Sequence, residues 1–316
     1  MIEHRFAKLA AAATFCLLVI GGTVNPTGSS LACPEPTLVC NGQLFPPMTG
    51  GVLYEHGHRL AAMTVGFLQI ILTVLLLRRR RDLRLLAWTT LAMVLIQGGL
   101  GAVTVAYKLP WFVSTGHLML GMSYFATLIY VGFRTRRDGP VTELRRHDRV
   151  IADLGNARTW IGVACGFVVI QLLLGALVRH LGAAMACLGI PACTRNGDWW
   201  PEAMVQQLHM VHRGFGILVA LVTVVAAVAV WRKSRSFVSL RVLMALAVLT
   251  VLAQVGLGIF TVLTLRSVPV AVGHFAGAAG LWGLWASAWF VSARRRPAVA
   301  GRRPPGPGRS PPGCRR

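Results

Sequence analysis

The sequence predicts an all-α integral membrane protein, with eight transmembrane helices forming two tandem four-helix bundles related by an internal repeat. Three observations lead there. The 316 residues are 55% hydrophobic and only 13% charged, with a mean hydropathy of +0.61, which is too apolar for an ordinary soluble domain. Eight apolar stretches come close to or exceed the roughly 20 residues that a bilayer core asks of a helix; they lie at 7–24, 51–77, 85–106, 113–133, 159–179, 205–231, 241–264 and 269–292. Residues of the first half also return in the second at a nearly constant offset.

The first stretch follows Arg5 and Lys8 and precedes Ser30-Leu31-Ala32-Cys33, features shared with cleaved signals. Val24, Gly28 and Cys33 nevertheless return as Val178, Gly182 and Cys187, each 154 positions later, so the segment is predicted to be retained as structure. At the start of the second stretch, His58 and Arg59 return as His212 and Arg213 at the same offset. The third carries Gln97 to Val105, matched by Gln254 to Val262 at 157 positions, and His117 in the fourth is matched by His274 at 157. The organisation that follows is an N-terminal bundle (1–133), a linker (134–158), a C-terminal bundle (159–292) and a tail (293–316). The tail's Pro, Gly and Arg content is that of a disordered segment.

The formal net charge of +22 would suggest a nucleic-acid partner in a soluble chain. Here the basic residues gather on alternate loops: Arg78 to Arg81 with Arg84, the run from Arg134 to Arg158, Arg232 to Arg241, and the tail from Arg294. The opposite loops carry Lys108, Arg179, Arg195 and Arg266. The positive-inside rule then puts both termini in the cytoplasm, makes the lipid bilayer the chain's surroundings and leaves no nucleic acid to invoke. The short leader before the first span points to a bacterial plasma membrane rather than a mitochondrial one. In this orientation the second, fourth, sixth and eighth helices run inward, so His58, His117, His212 and His274 share a depth within about 10 Å of the outer surface.

A charged side chain at mid-bilayer costs roughly 2.5 to 3.5 kcal/mol on insertion scales, so ionisable residues at membrane depth call for a chemical reason. A single membrane histidine is readily explained by an interhelical hydrogen bond. Four in register fit a different purpose, because two imidazoles at one depth on different helices can hold a haem iron from both sides. Zinc or copper is a weaker competitor, since only His56/His58 and His209/His212 offer closely spaced extra ligands. Gln97, Gly99 and Gly101, with Gln254, Gly256 and Gly258, allow close approach of a flat macrocycle, although ordinary helix packing is the plainer explanation. Cys33 and Cys40 bracket one outer loop, and Cys187 and Cys193 the other. Four cysteines permit three connectivities, and the pairs Cys33–Cys40 and Cys187–Cys193 need the shortest reach on an oxidising side. Cys16 and Cys165 fall within helices, and Cys314 in the tail.

Glu55-His56-Gly57-His58-Arg59, joined by the matched histidines, the two halves and the cysteine-bracketed loops, resembles the haem A synthase family over about residues 7–292. The resemblance implies an oxidoreductase that converts the C8 methyl of haem O to a formyl group by successive hydroxylations, making haem A for terminal oxidases. It implies haem b as cofactor in the C-terminal half, ligated by His212 and His274. Haem O, the substrate, would occupy the N-terminal half, ligated or flanked by His58 and His117. The enzyme that makes haem O is a candidate partner, and a homo-oligomer is compatible with the reading.

Glu55 has no acidic counterpart, for His209 stands 154 positions on. It lies one helical turn before His58, which suits a catalytic base or a carboxylate that stabilises developing positive charge; the plainer alternative is a salt bridge to Arg59 at i+4. Arg59 and Arg213 are candidates for pairing with haem propionates, against a lipid-phosphate or structural pairing. His56 is divided between a supporting and a packing role. His209, on the same face as His212, is a candidate for orienting it. No role is expected of His4, His147 or His180. The alternative function is a dihaem b-type membrane cytochrome that transfers electrons without making a product and needs the four histidines but not Glu55. A transporter or haem-handling chaperone is a third class.

Overall fold

The computed structural model describes residues 2–136, 154–234 and 237–292. The predicted tail with Cys314, and most of the predicted linker with His147, lie outside the described residues. Within them the helices are α1 (Ile2–Val24), α2 (Gly50–Arg79), α3 (Arg84–Ala106), α4 (Trp111–Thr135), α5 (Ala157–His180), α6 (Met204–Lys233), α7 (Val238–Leu263) and α8 (Val268–Ser292). All eight are long and apolar enough to cross a membrane, as expected of a multi-pass membrane protein. Lengths of 23 to 30 residues correspond to roughly 35–45 Å at 1.5 Å per residue, more than the hydrocarbon core requires. The excess lies at polar ends. Helix α1 begins at Ile2 rather than at residue 7, because Glu3, His4 and Arg5 continue the helix ahead of the apolar run.

Helix formation follows from the solvent. No water reaches the hydrocarbon, so each backbone N–H must find its carbonyl within the segment, and Leu-, Val- and Ala-rich runs coil despite their β-branched content. The breaks are equally local. Lys108 and Leu109 turn through φ of 54° and 65°, and Leu265 and Arg266 through 49° and 64°. Such left-handed conformations cost about 1–2 kcal/mol per non-glycine residue. Each turn recovers a helix-end carbonyl: Leu109 N–H donates to Thr104 O (2.8 Å) and Arg266 N–H to Thr261 O (2.7 Å). Pro110 and Pro269 then begin the next helices, where a missing N–H matters least.

In the first half α1 packs on α2 and α4 while α3 packs on α2 and α4; α5 to α8 close a second ring in the same way. The two rings meet along α1 and α4 on one side and α5 and α8 on the other. Trp282 Nε1 donates to Met122 O across this seam at 2.9 Å. The first ring is centred on Leu72, Leu76 and Leu128, the second on Leu172, Met244 and Trp285. The ends of α2, α4, α6 and α8 that begin each helix gather at one end of the molecule with both disulfide loops, here termed the loop end.

One buried polar network stitches the first ring. Gln69 Nε2 donates to Thr73 Oγ1 (3.0 Å) and Thr90 Oγ1 (2.8 Å), and Tyr124 Oη donates to Gln69 Oε1 (2.8 Å). Interhelical hydrogen bonds in membrane proteins average about 0.6 kcal/mol and reach about 1.7. Tyr124→Phe is therefore expected to destabilise the chain by about that amount in a denaturation titration in detergent, with the haem content of the folded fraction unchanged. An unaltered midpoint would show that the network carries no stability.

Candidate functional site

His58, His117, His212 and His274 lie within the first three turns of α2, α4, α6 and α8, all near the loop end. Each imidazole rests on a glycine of the helix that precedes its own. A Cβ at Gly21 would stand 2.7 Å from His58 Cε1, one at Gly101 3.3 Å from His117 Cε1, one at Gly175 3.2 Å from His212 Cε1, and one at Gly258 3.4 Å from His274 Cε1. At Gly21 a methyl group would force the ring to shift, at Gly101 and Gly175 it would press the ring by a few tenths of an ångström, and at Gly258 it would just touch it. Gly99 and Gly256, by contrast, would meet nothing within 4 Å. Gly21 and Gly175 were not singled out from the sequence, although they stand 154 positions apart like the histidines they seat.

Glutamines fix two of the rings further. His117 Nδ1 lies 3.1 Å from Gln97 O, and Gln97 Nε2 donates to His117 O at 2.9 Å. An Nδ1–H given to a carbonyl leaves the Nε2 lone pair for a metal. Gln171 Nε2 donates to His212 O at 3.1 Å and lies 3.2 Å from its Nδ1.

In the second ring the imidazoles of His212 and His274 face each other with centroids 6.5 Å apart and planes at 83°. Metal–imidazole bonds of about 2.0–2.1 Å would put two rings on a shared metal roughly 6 Å apart between centroids, so the pair fits an iron between them. Both rings line a cavity of about 820 Å³ with Val219, Val251, Phe275 and Leu281, within the roughly 300–1,000 Å³ usual for ligand sites. An apolar slot with two opposed imidazoles suits a tetrapyrrole. In the first ring His58 and His117 are close enough to interact electrostatically.

The residues around the motif are built into the loops. Glu55 is 4% exposed; its Oε2 accepts from the Cys33 N–H (2.9 Å) and its Oε1 from Arg59 (2.7 Å). Arg59 also donates to the carbonyls of Cys33 (2.9 Å), Glu35 (2.6 Å) and Thr37. In the other half the Cys187 N–H donates to His209 Nδ1 (3.3 Å), while Arg213 donates to Cys187 O (2.7 Å) and Gly189 O (2.8 Å). Thus Glu55 and His209 do one job, receiving a cysteine N–H from 22 residues upstream. The Nδ1 of His209, expected from the sequence as a candidate for orienting His212, is thus engaged with the loop.

Both expected disulfides are present, Cys33–Cys40 and Cys187–Cys193. His56, 1% exposed, packs within 4.8 Å of the first. Its ring nitrogens have no hydrogen-bond partner among the described residues, which favours packing, because sulphurs joined to each other are not thiolate ligands. In the first loop, Glu35 accepts the N–H groups of Gly42 and Asn41 at 2.9 Å each. The Gly42 N–H, above all, holds its carboxyl below the ordinary carboxylate range. His4 Nδ1 meets Gly132 O and His180 Nδ1 meets Thr115 Oγ1, both ordinary interhelical contacts. Arg179 and Arg266, which the sequence suggested only as sparse loop charges, both stand in the wall of the large cavity.

The glycine seats make a direct test. Overpacking costs about 1–3 kcal/mol, equivalent to a roughly ten- to hundredfold loss of affinity. Gly21→Ala should lower haem occupancy and perturb the absorbance attributable to His58. Gly98→Ala, which meets nothing within 4 Å, should do neither. Equal occupancy and identical spectra in both variants would show that the seats do not position the imidazoles.

A family profile described as COX15-CtaA, cytochrome oxidase assembly protein, matches residues 50–286, a span that contains Glu55 and all four seated histidines. The chain is similar to a heme A synthase of Shouchella clausii, 28% identical over 267 residues that cover 82% of this chain and 86% of that protein. It is likewise similar to a heme A synthase of Exiguobacterium sp., 29% identical across 78% of this chain and 79% of that one, and to one of Symbiobacterium thermophilum, 29% identical across 89% and 92%. With opposed imidazoles in an apolar membrane cavity and a profile match over most of its length, the chain belongs to the COX15-CtaA family of cytochrome oxidase assembly proteins.

Proposed function

We propose that the protein is a haem A synthase, oxidising the C8 methyl of haem O to a formyl group by successive hydroxylations. The observation that carries this reading is the His212–His274 pair, 6.5 Å apart across an apolar cavity, in a chain whose relatives bear that name. His212 and His274 would hold haem b in the C-terminal half (159–292), and His58 and His117 would hold or flank haem O in the N-terminal half (1–133). Haem b, when bound, supplies one-electron redox chemistry. The chain supplies position: the glycine seats fix ring direction, the apolar walls exclude water, and the clamped loops cover the loop end.

Each hydroxylation breaks one C–H bond of the methyl carbon and forms a C–O bond with an oxygen from water, two electrons and two protons leaving to an external oxidant, and the doubly hydroxylated carbon loses water to give the formyl group. A carboxylate near that carbon stabilises positive charge as it develops, and Glu55 is the one acidic residue of the motif beside His58. Its two oxygens accept from the Cys33 N–H and from Arg59. The distribution of basic residues supports cytoplasmic termini, with the site at the outer face of a bacterial plasma membrane. The enzyme that makes haem O is the partner such an activity calls for.

One observation favours the second reading, a dihaem cytochrome without a product. Glu55 does the same loop-holding job as His209, so its presence is explained without chemistry. Purified protein supplied with haem O, followed by analysis of the extracted haems, separates the two. Glu55→Gln should retain bound haem yet lose conversion by about a hundredfold or more, the usual scale for a positioned acid–base group. Wild-type conversion in that variant removes Glu55 from the mechanism. Loaded wild-type protein that yields no haem A under any supplied oxidant supports the cytochrome. His274→Ala should lose the haem b spectrum preferentially, and an unchanged haem b content would refute the division between halves.

A further inference from the structure

Arg179, in the last turn of α5, and Arg266, in the turn between α7 and α8, both line the large cavity. Neither pairs with a carboxylate among the described residues. Each guanidinium offers five N–H donors. Arg179 gives one to Gly21 O at 3.2 Å, and its Nε is buried without a hydrogen-bond partner among the described residues. Its carbon stands 5.4 Å over the ring of Phe275, which keeps the plane fixed beside His274. Arg266 donates to Asn25 Oδ1. The two cations are near enough to feel each other's charge, in a wall otherwise made largely of aliphatic and aromatic side chains. Like charges held together under poor solvation ask for an anion.

Arg213, which also lines the cavity, and its counterpart Arg59 are differently committed. Arg213 is bound to the carbonyls of Cys187 and Gly189, and Arg59 to those of Cys33, Glu35 and Thr37. Both clamp loops. The positions 154 before Arg179 and 157 before Arg266 hold Asn25 and Leu109. The pair without a carboxylate partner among the described residues therefore belongs to the C-terminal half alone, and Asn25 accepts a hydrogen bond from Arg266.

We infer that Arg179 and Arg266 form a dicarboxylate-binding site on the wall of the C-terminal cavity, which takes the two propionates of the tetrapyrrole held by His212 and His274. This rests on the haem reading above. A haem bears its two carboxylates on one edge, and two neighbouring guanidiniums on one wall match that edge with charge-assisted hydrogen bonds. Both arginines also reach across the seam, to Gly21 of α1 and to Asn25 just after it, so residues of both halves meet at this end of the cavity.

The test uses the full-length chain carrying His58→Ala and His117→Ala, so that only the C-terminal imidazole pair ligates. Haem-depleted protein is titrated with ferric protohaem and, separately, with its dimethyl ester, which lacks the carboxylates but keeps the iron and ring. The parent should bind the diacid at least tenfold more tightly than the ester. Arg179→Met with Arg266→Met should abolish that preference while the affinity for the ester, and its low-spin spectrum, stay at the parent's values. Arg213→Met should keep the preference. No preference in the parent, a preference retained in the double variant, or a preference lost with Arg213→Met overturns the assignment. If the double variant binds neither pigment, Arg266→Gln and Arg179→Lys decide: a lowered diacid-to-ester ratio in either supports the site, and an unchanged ratio in both overturns it. A parent that binds neither pigment through His212 and His274 sinks the haem reading itself, a result distinct from binding both equally.

Discussion

Each of the four membrane histidines lies against the backbone of a neighbouring helix at a glycine, and the geometry of the site depends on that contact. An imidazole between apolar helices has few polar partners to direct it, so its direction must come from shape. Gly21, Gly101, Gly175 and Gly258 provide the hollow that each ring fills. Because α5 carries Gly175 against α6 and α7 carries Gly258 against α8, two independent helix pairs bring His212 and His274 opposite each other. A rigid pair costs less to organise around a metal than one that must be ordered on binding, which is why the supporting residues matter as much as the ligands.

The loops lean on the same helices. Arg59 and Arg213, one residue after a seated histidine, tie the disulfide loops down through backbone carbonyls, and Glu55 and His209 receive the returning cysteine N–H. A carboxylate and an imidazole accept the same bond, but they leave different charges behind. Glu55 neutralises Arg59 at 2.7 Å. In the C-terminal half Arg213 has no such counter-ion among the described residues, and Arg179 and Arg266 add to it. The two halves share a scaffold and differ in electrostatics.

The spans and the histidines were legible because both obey simple rules. A bilayer imposes about 20 apolar residues per helix, and offsets of 154 and 157 carried His58 to His212 and His117 to His274. The helix ends were less legible: Arg5 and Lys8 read as polar residues ahead of the span, although the helix runs through them from Ile2. The bonding of Glu55 and His209 was hidden because its other end is a loop backbone N–H, which no side-chain pattern reports. Arg179 and Arg266 were visible as residues, but the positive-inside rule counts charges by loop and says nothing of whether a side chain folds back into the membrane.

Helices α5 and α8 end or begin within a turn of the cavity, so an arginine there can reach either the aqueous face or the interior. Solvation favours the former, because a guanidinium leaving water without a partner loses several kcal/mol. A side chain that nevertheless lies in the wall is stabilised by what the protein supplies only in part, a carbonyl at Gly21 and a ring at Phe275 for Arg179. The remainder can come from a ligand with negative charge. A chain that folds with such cations in place favours the ligand in proportion to the charge it completes, and the bound ligand in turn stabilises the fold by mass action. Affinity and stability in the C-terminal half are then two aspects of one unsatisfied electrostatic demand, and the N-terminal half, with Glu55 already opposite Arg59, carries less of it.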